Sequence, residues 1–266
     1  MAVKKTVVID SFADAAFRHL ERDAIVCVDV MQVSTTLVTA VAQGRPAFVA
    51  STPDGAVRLA EGLDRPLLAG ADARAVTRFD IPDSPAVLAR QADPRRPLVL
   101  YSPPGTEMIT NAAAVPEVLI ACFRNLTATV NHVVRQHRRV AVVAAGYGDE
   151  LSCEDVMAAA RIVQMLLQRG FEAADLRTGE LTRRWSPIEV ALAGWGNGAA
   201  RLRSAGQAED VEFILGHVDD VPLACVCRSG EVSSADAAGA ADRSGHLDPA
   251  ANRRASDILG GGTPDL

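Results

Sequence analysis

The chain has 266 residues, enough for one large domain or two small lobes, and 48% of them are hydrophobic, so a substantial core can form without staples. A net charge of −6 argues against a general nucleic-acid surface, whose affinity comes from neutralising phosphates. No apolar run approaches the roughly twenty residues needed to cross a bilayer. The five cysteines are odd in number and scattered, and no N-terminal segment joins a basic stretch to a long apolar run and a cleavage site, a pattern that points to the cytoplasm.

In chain order, Ala24 to Val30 reads as a β-branched strand, Thr35 to Gln43 as a helix, Pro46 to Ala50 as a strand and Pro53 to Gly62 as a helix. The rhythm continues through a strand at Leu67 to Ala69, a helix at Ser84 to Gln91, a strand at Leu98 to Ser102 and a short helix at Thr106 to Ala114. Then come the strand Val118 to Cys122, the helix Asn125 to His137, the strand Val140 to Ala144 and the helix Ser152 to Arg169. Strands joined by crossover helices predict a three-layer α/β/α fold with a largely parallel or mixed sheet, with a division into two lobes near residue 138 left open. Beyond Gly170 the pattern weakens. Pro187 to Leu192 and Gln207 to Leu215 look helical, and Leu223 to Arg228 reads as a last strand, on which Cys225 and Cys227 share a face. The domain is expected to span residues 1–228. Residues 229–266, rich in Ser, Ala, Gly and Asp, are expected to form a disordered low-complexity tail.

In such sheets ligands gather where strands end and helices begin. Asp29 ends a buried strand, and Ser34, Thr35 and Thr36 open the next helix; the carboxylate either reaches a metal or closes the turn, and a hydroxyl caps the helix. Ser84 before Pro85 is a ready N-cap, and Asp80 and Asp83 beside it either favour the helix dipole or hold a cation. Tyr101-Ser102-Pro103-Pro104-Gly105-Thr106 is a weak phosphate cradle, because prolines lack an N–H donor. Ala145-Gly146-Tyr147-Gly148 precedes Ser152-Cys153-Glu154-Asp155, where Ser152 and Asp155 imitate a capping box and leave Glu154 free. His132 and His137, among Arg135, Arg138 and Arg139, read as a solvated helix face. Nothing supplies a base for Cys153.

These four constellations, in this order, resemble the 2-phosphosulfolactate phosphatase (ComB-like) family over Ala24 to Arg228. Asp29 to Thr36 matches the family's first signature, Gly70-Ala71 and Arg78 to Pro85 its second, Gly105-Thr106 and Phe123-Arg124-Asn125 the next two. Ala145-Gly146, Glu154-Asp155 and Asp219-Asp220 match the last. The resemblance implies an α/β fold and Mg²⁺-dependent hydrolysis of a small anionic phosphate ester. It implies Asp29 and Asp80 as metal contacts and Asp29, Glu154 and Asp155 as catalytic groups. Substrate contacts fall to Ser34, Thr35, Arg78, Ser84, Gly105, Thr106 and Asn125. It brings no nucleic acid and no membrane, and a homo-oligomer is compatible with it. The chain departs from the pattern at Gln32, where the family has arginine, and at Ala71, Pro82, Asp83, Pro103 and Pro104. Arg78 is expected to restore the lost cation and Asp83 to replace a lost carboxylate. The departures keep a second reading open, a catalytically altered protein that binds an acidic metabolite or a partner, or performs different chemistry.

Overall fold

The structure is a computed structural model, and it describes residues 4–70 and 79–237. The chain opens with β1 (Thr6–Ser11), β2 (Ala24–Val28), α1 (Val33–Ala42), β3 (Ala47–Val49), α2 (Pro53–Glu61) and β4 (Leu67–Gly70). It continues with α3 (Pro85–Ala89), β5 (Leu98–Tyr101), α4 (Gly105–Asn111), β6 (Glu117–Ala121), α5 (Leu126–Gln136) and β7 (Arg139–Ala144). After α6 (Cys153–Leu167) come β8 (Glu172–Ala173), α7 (Leu176–Trp185), α8 (Asn197–Ser204), α9 (Ala208–Gly216), β9 (Cys225–Arg228) and β10 (Glu231–Ser234).

All the strands join one mixed ten-stranded sheet in the order β4-β5-β3-β10-β9-β6-β2-β7-β1-β8. On one side β6, β2, β7, β1 and β8 run parallel. On the other β3, β5 and β4 run parallel to one another. The hairpin of β9 and β10 pairs antiparallel with β6 and with β3, so the two parallel halves point in opposite directions. The central strands are buried on both faces, which explains why β2 (Ala-Ile-Val-Cys-Val) and β6 lack polar alternation. One large apolar cluster fills both sides of the sheet, and a small one of Ala50, Ala56 and Val99 sits under α2.

Several sequence expectations change here. The boundary considered near residue 138 falls just before β7, which lies between β2 and β1 inside the continuous sheet. The ordered chain runs past Arg228, because Glu231–Ser234 is a strand that fills the gap between β9 and β3; the expected tail from 238 onward lies outside the described residues. β1 and α7 were not anticipated. α7 buries Thr178 and Thr182 fully and Leu181 and Trp185 only in part, and Thr178 Oγ1 accepts the Ile9 N–H at 3.0 Å, so it carries little apolar periodicity. The helix expected from Pro187 is a 3-10 segment at Val190–Trp195.

Candidate active site

The turn after β2 is built by hydroxyls. Ser34 N–H donates to the Asp29 carbonyl at 2.8 Å, and Ser34 Oγ accepts the Asp29 N–H at 3.0 Å. Thr35 Oγ1 donates to the Val30 carbonyl at 2.8 Å. Both hydroxyls expected to hold substrate are thus committed to backbone. The helix starts at Val33, with Gln32 in the N-cap position and no side-chain cap. What the turn presents is Asp29, buried at 6% exposure. Its Oδ2 lies so close to the Gly105 Cα that a Cβ there would overlap it. The turn after β5 in one half of the sheet therefore closes against the turn after β2 in the other, and Gly105 acts by being small.

Asp155, the third residue of α6, does not complete a capping box, since Ser152 makes no side-chain cap. It reaches across instead: Oδ1 accepts the Val30 N–H at 2.7 Å and Oδ2 the Gly146 N–H at 3.2 Å, tying the β7 turn to the β2 turn. Glu154 is equally buried, at 1%, and its carboxylate fills the space that side chains at Gly196 and Gly198 would need at the start of α8. Arg201, one turn along α8, lies 4.2 Å from the Tyr147 ring centroid and 3.5 Å from Ser152 Oγ.

Asp83, rather than Asp80, completes the acidic edge. Thr36 donates to Asp83 Oδ1 at 2.6 Å, and Gln32 Nε2 donates to the Asp83 carbonyl. Asp83 Oδ2 and Gln32 Oε1 are buried without a hydrogen-bond partner among the described residues. Asp80 is exposed, accepts the Leu68 N–H at 3.0 Å and faces Arg96 at 3.9 Å, so it serves β4 and not the site. Ser84 caps α3 as expected, accepting the Val87 N–H at 3.1 Å, and its hydroxyl donates to Asp210 at 2.7 Å. Thr106 Oγ1 accepts the Ser102 N–H at 3.2 Å. Asn125 fastens the end of β6, bonding the Cys122 N–H and the Ile120 carbonyl at 3.0 Å each. Ala71 and Arg78 lie outside the described residues.

The electrostatics single out Asp29. Burial, then Asp83 and Glu154, push its carboxyl up to about 8, while the Val33 N–H and Arg201 oppose the rise. Burial raises Asp83 to about 6 against the pull of the Thr36 and Ser102 hydroxyls. Burial also lifts Glu154, with Arg201 opposing, and it holds Asp155 well above the usual range with help from Asp29 and Glu154. The Cys153 thiol is pushed up to about 12, first by burial and then by Glu154, which disfavours its thiolate form. Buried like charges, oxygen-only donors and two orphaned oxygens fit a hard cation. Among the described residues, three ligand-type atoms come within 4.8 Å of one another only at Glu117, His132 and His137. The carboxylates of the acidic edge do not converge to that degree, so an ion held there would keep part of its coordination as water.

The solvated face expected at His132 and His137 is not observed. Both rings turn inward, and each Nε2 lies 2.6 Å from Glu117 Oε2. α5 stops at Gln136, and the extended backbone of His137 folds its ring back beside His132. Arg201 was invisible to the sequence reading because α8 comes to α6 only through tertiary packing. The Gly196-Asn197-Gly198 spacing ahead of it was the available signal of a close approach.

The 2-phosphosulpholactate phosphatase family model matches residues 13–224. The chain is 24% identical over 205 residues to a protein of Caldanaerobacter subterraneus subsp. tengcongensis, covering 74% of this chain and 85% of that one. It is 30% identical over 208 residues to one of Symbiobacterium thermophilum, covering 74% and 89%, and 30% identical over 199 residues to one of Deinococcus radiodurans, covering 72% and 82%. All three are described as probable 2-phosphosulfolactate phosphatases.

Proposed function

Because the chain belongs to the 2-phosphosulpholactate phosphatase family, we propose that it hydrolyses a small acidic phosphate monoester, 2-phosphosulfolactate or a close relative, in a Mg²⁺-dependent reaction. The observation that carries this reading is the crowding of Asp83 and Glu154 around buried Asp29, beside Asp83 Oδ2 and Gln32 Oε1, which have no hydrogen-bond partner among the described residues. Asp29 and Asp83 hold the cation, with Gln32 Oε1 as a neutral oxygen nearby. Mg²⁺ bound there supplies charge for the phosphate oxygens and orientation for a water.

Asp155 works through the backbone, fixing the Val30 and Gly146 amides so that the two turns keep one geometry. Thr36 holds Asp83 in a single rotamer. Glu154, whose carboxyl burial shifts above its ordinary range, is the group placed to give a proton to the departing alkoxide. Arg201 takes the role that Gln32 leaves empty, a fixed cation for the substrate's acidic group.

The test is phosphate release by the purified protein across a panel of small phosphate esters that includes phosphosulfolactate, with Mg²⁺ and with chelator. Release from an acidic ester only in the presence of Mg²⁺ supports the reading. A folded protein that releases phosphate from none of them would end it and favour a binding role for the same edge.

A further inference from the structure

We propose that Glu117, His132 and His137 form a second metal site, specific for a transition ion of the Zn²⁺ type and separate from the acidic edge. Glu117 begins β6, so the cluster lies at the opposite end of the strands from Asp29, which follows the end of the parallel neighbour β2. Both imidazole Nε2 atoms meet the same carboxylate oxygen, Oε2, at 2.6 Å, while Oε1 takes Arg228 at 3.0 Å. Here three ligand atoms converge on one point from two elements, the geometry a tetrahedral ion uses.

In the metal-free chain each Nε2 carries the hydrogen, because an ionised carboxylate only accepts. With the ion bound, each neutral ring carries its proton on Nδ1 and offers the Nε2 lone pair. Tetrahedral Zn²⁺ with bonds of about 2.0–2.2 Å sets its ligands roughly 3.3 Å apart, so the cluster needs to open by less than about 1 Å. The spacing of four residues between the histidines falls within the range of zinc-binding His pairs. Two imidazoles and one carboxylate select Zn²⁺ or Co²⁺ over Mg²⁺. The side chains are about a tenth exposed, and His132 also lines a cavity of 210 Å³ with Asn131, Arg135 and Asp236, so solvent comes up to one member of the cluster. The bound ion would pin the start of β6 to the end of α5.

The experiment is titration of the chelator-stripped full chain with Co²⁺ and with Zn²⁺, read by visible absorption and by melting temperature. The expected result is one tetrahedral Co²⁺ per chain, counted from its visible band in the presence of excess Mg²⁺ to fill the acidic edge, and a rise in Tm of roughly 5–10 °C at a hundredfold excess over Kd. Asp29→Asn should keep this binding, His132→Ala and His137→Ala should lose it, and Arg228→Ala should tighten it by removing a competing cation. A tetrahedral cobalt spectrum that survives the double histidine variant, or neither spectrum nor shift in the wild type, overturns the site. If the histidine variants fail to fold, X-ray absorption on the zinc-loaded wild type decides it. Two imidazoles and a carboxylate around the ion uphold the site, and oxygen-only coordination refutes it.

Discussion

Burial raises the carboxyls at both ends of the β2–β6 pair, yet the two ends come out with opposite sign. At the C-terminal ends Asp29 is surrounded by Asp83 and Glu154, and like charges add to the cost of burial. At the start of β6 Glu117 is surrounded by His132, His137 and Arg228, and its carboxyl is held far below the usual range in spite of burial. The same desolvation gives a poised acid in one place and a satisfied anion in the other, and the neighbours decide which. The first arrangement costs stability and is maintained where a ligand can relieve it; the second holds elements together.

The largest effect should come from removing a charge at the crowded end. Asp29→Asn is expected to lower phosphate release by roughly 10²–10³-fold with no loss in chelator-treated Tm. A parallel loss of Tm would make Asp29 structural and erase the contrast. At the paired end the pattern should invert: Glu117→Gln leaves three cationic or donor groups facing one another and is expected to cost roughly 3 kcal/mol in urea unfolding, with phosphate release unchanged. Arg201→Ala should raise KM for an acidic ester about tenfold or more while kcat moves less, and Arg201→Lys should recover part of it.

The same contrast should also show in the pH dependence of stability. Asp29 and Asp83 bind protons more tightly folded than unfolded, so their contribution is largest below the ordinary carboxyl range and declines as pH rises, through about 6 for Asp83 and about 8 for Asp29. In chelator, urea midpoints should therefore fall between about pH 4 and 8. Asp29→Asn should flatten the upper part of that slope, and saturating Mg²⁺ should flatten it in the wild type.

The sequence announced the elements whose apolar residues repeat regularly: β2, α1, β7 and α6 lie within a few residues of their expected spans. It was silent about α7, whose fully buried residues are two threonines, and it put β10 in the tail, because Glu-Val-Ser-Ser carries a single apolar residue and becomes a strand only where two open edges receive it. The same division holds in the site. Asp29, Glu154 and Asp155 were legible as carboxylates at strand-to-helix turns. Asp80 and Asp83, three residues apart, could not be ranked from spacing. Gln32 and Thr36, four apart on one face of α1, both reach Asp83, and that pairing becomes visible only in three dimensions. Local chemistry was readable; the choice among chemically similar neighbours belonged to packing.

The hairpin of β9 and β10 bears on how the chain is made. It is the last described part of the sheet to leave the ribosome, yet it occupies the middle, so β3 and β6 must wait with bare edges until some two hundred residues have been synthesised. A nascent chain halted at residue 224, where the family match ends, already holds every carboxylate of the acidic edge but lacks the hairpin that joins the two halves. Asp29 and Gly105 come from opposite halves, so their close approach is a contact that only the completed sheet holds in place.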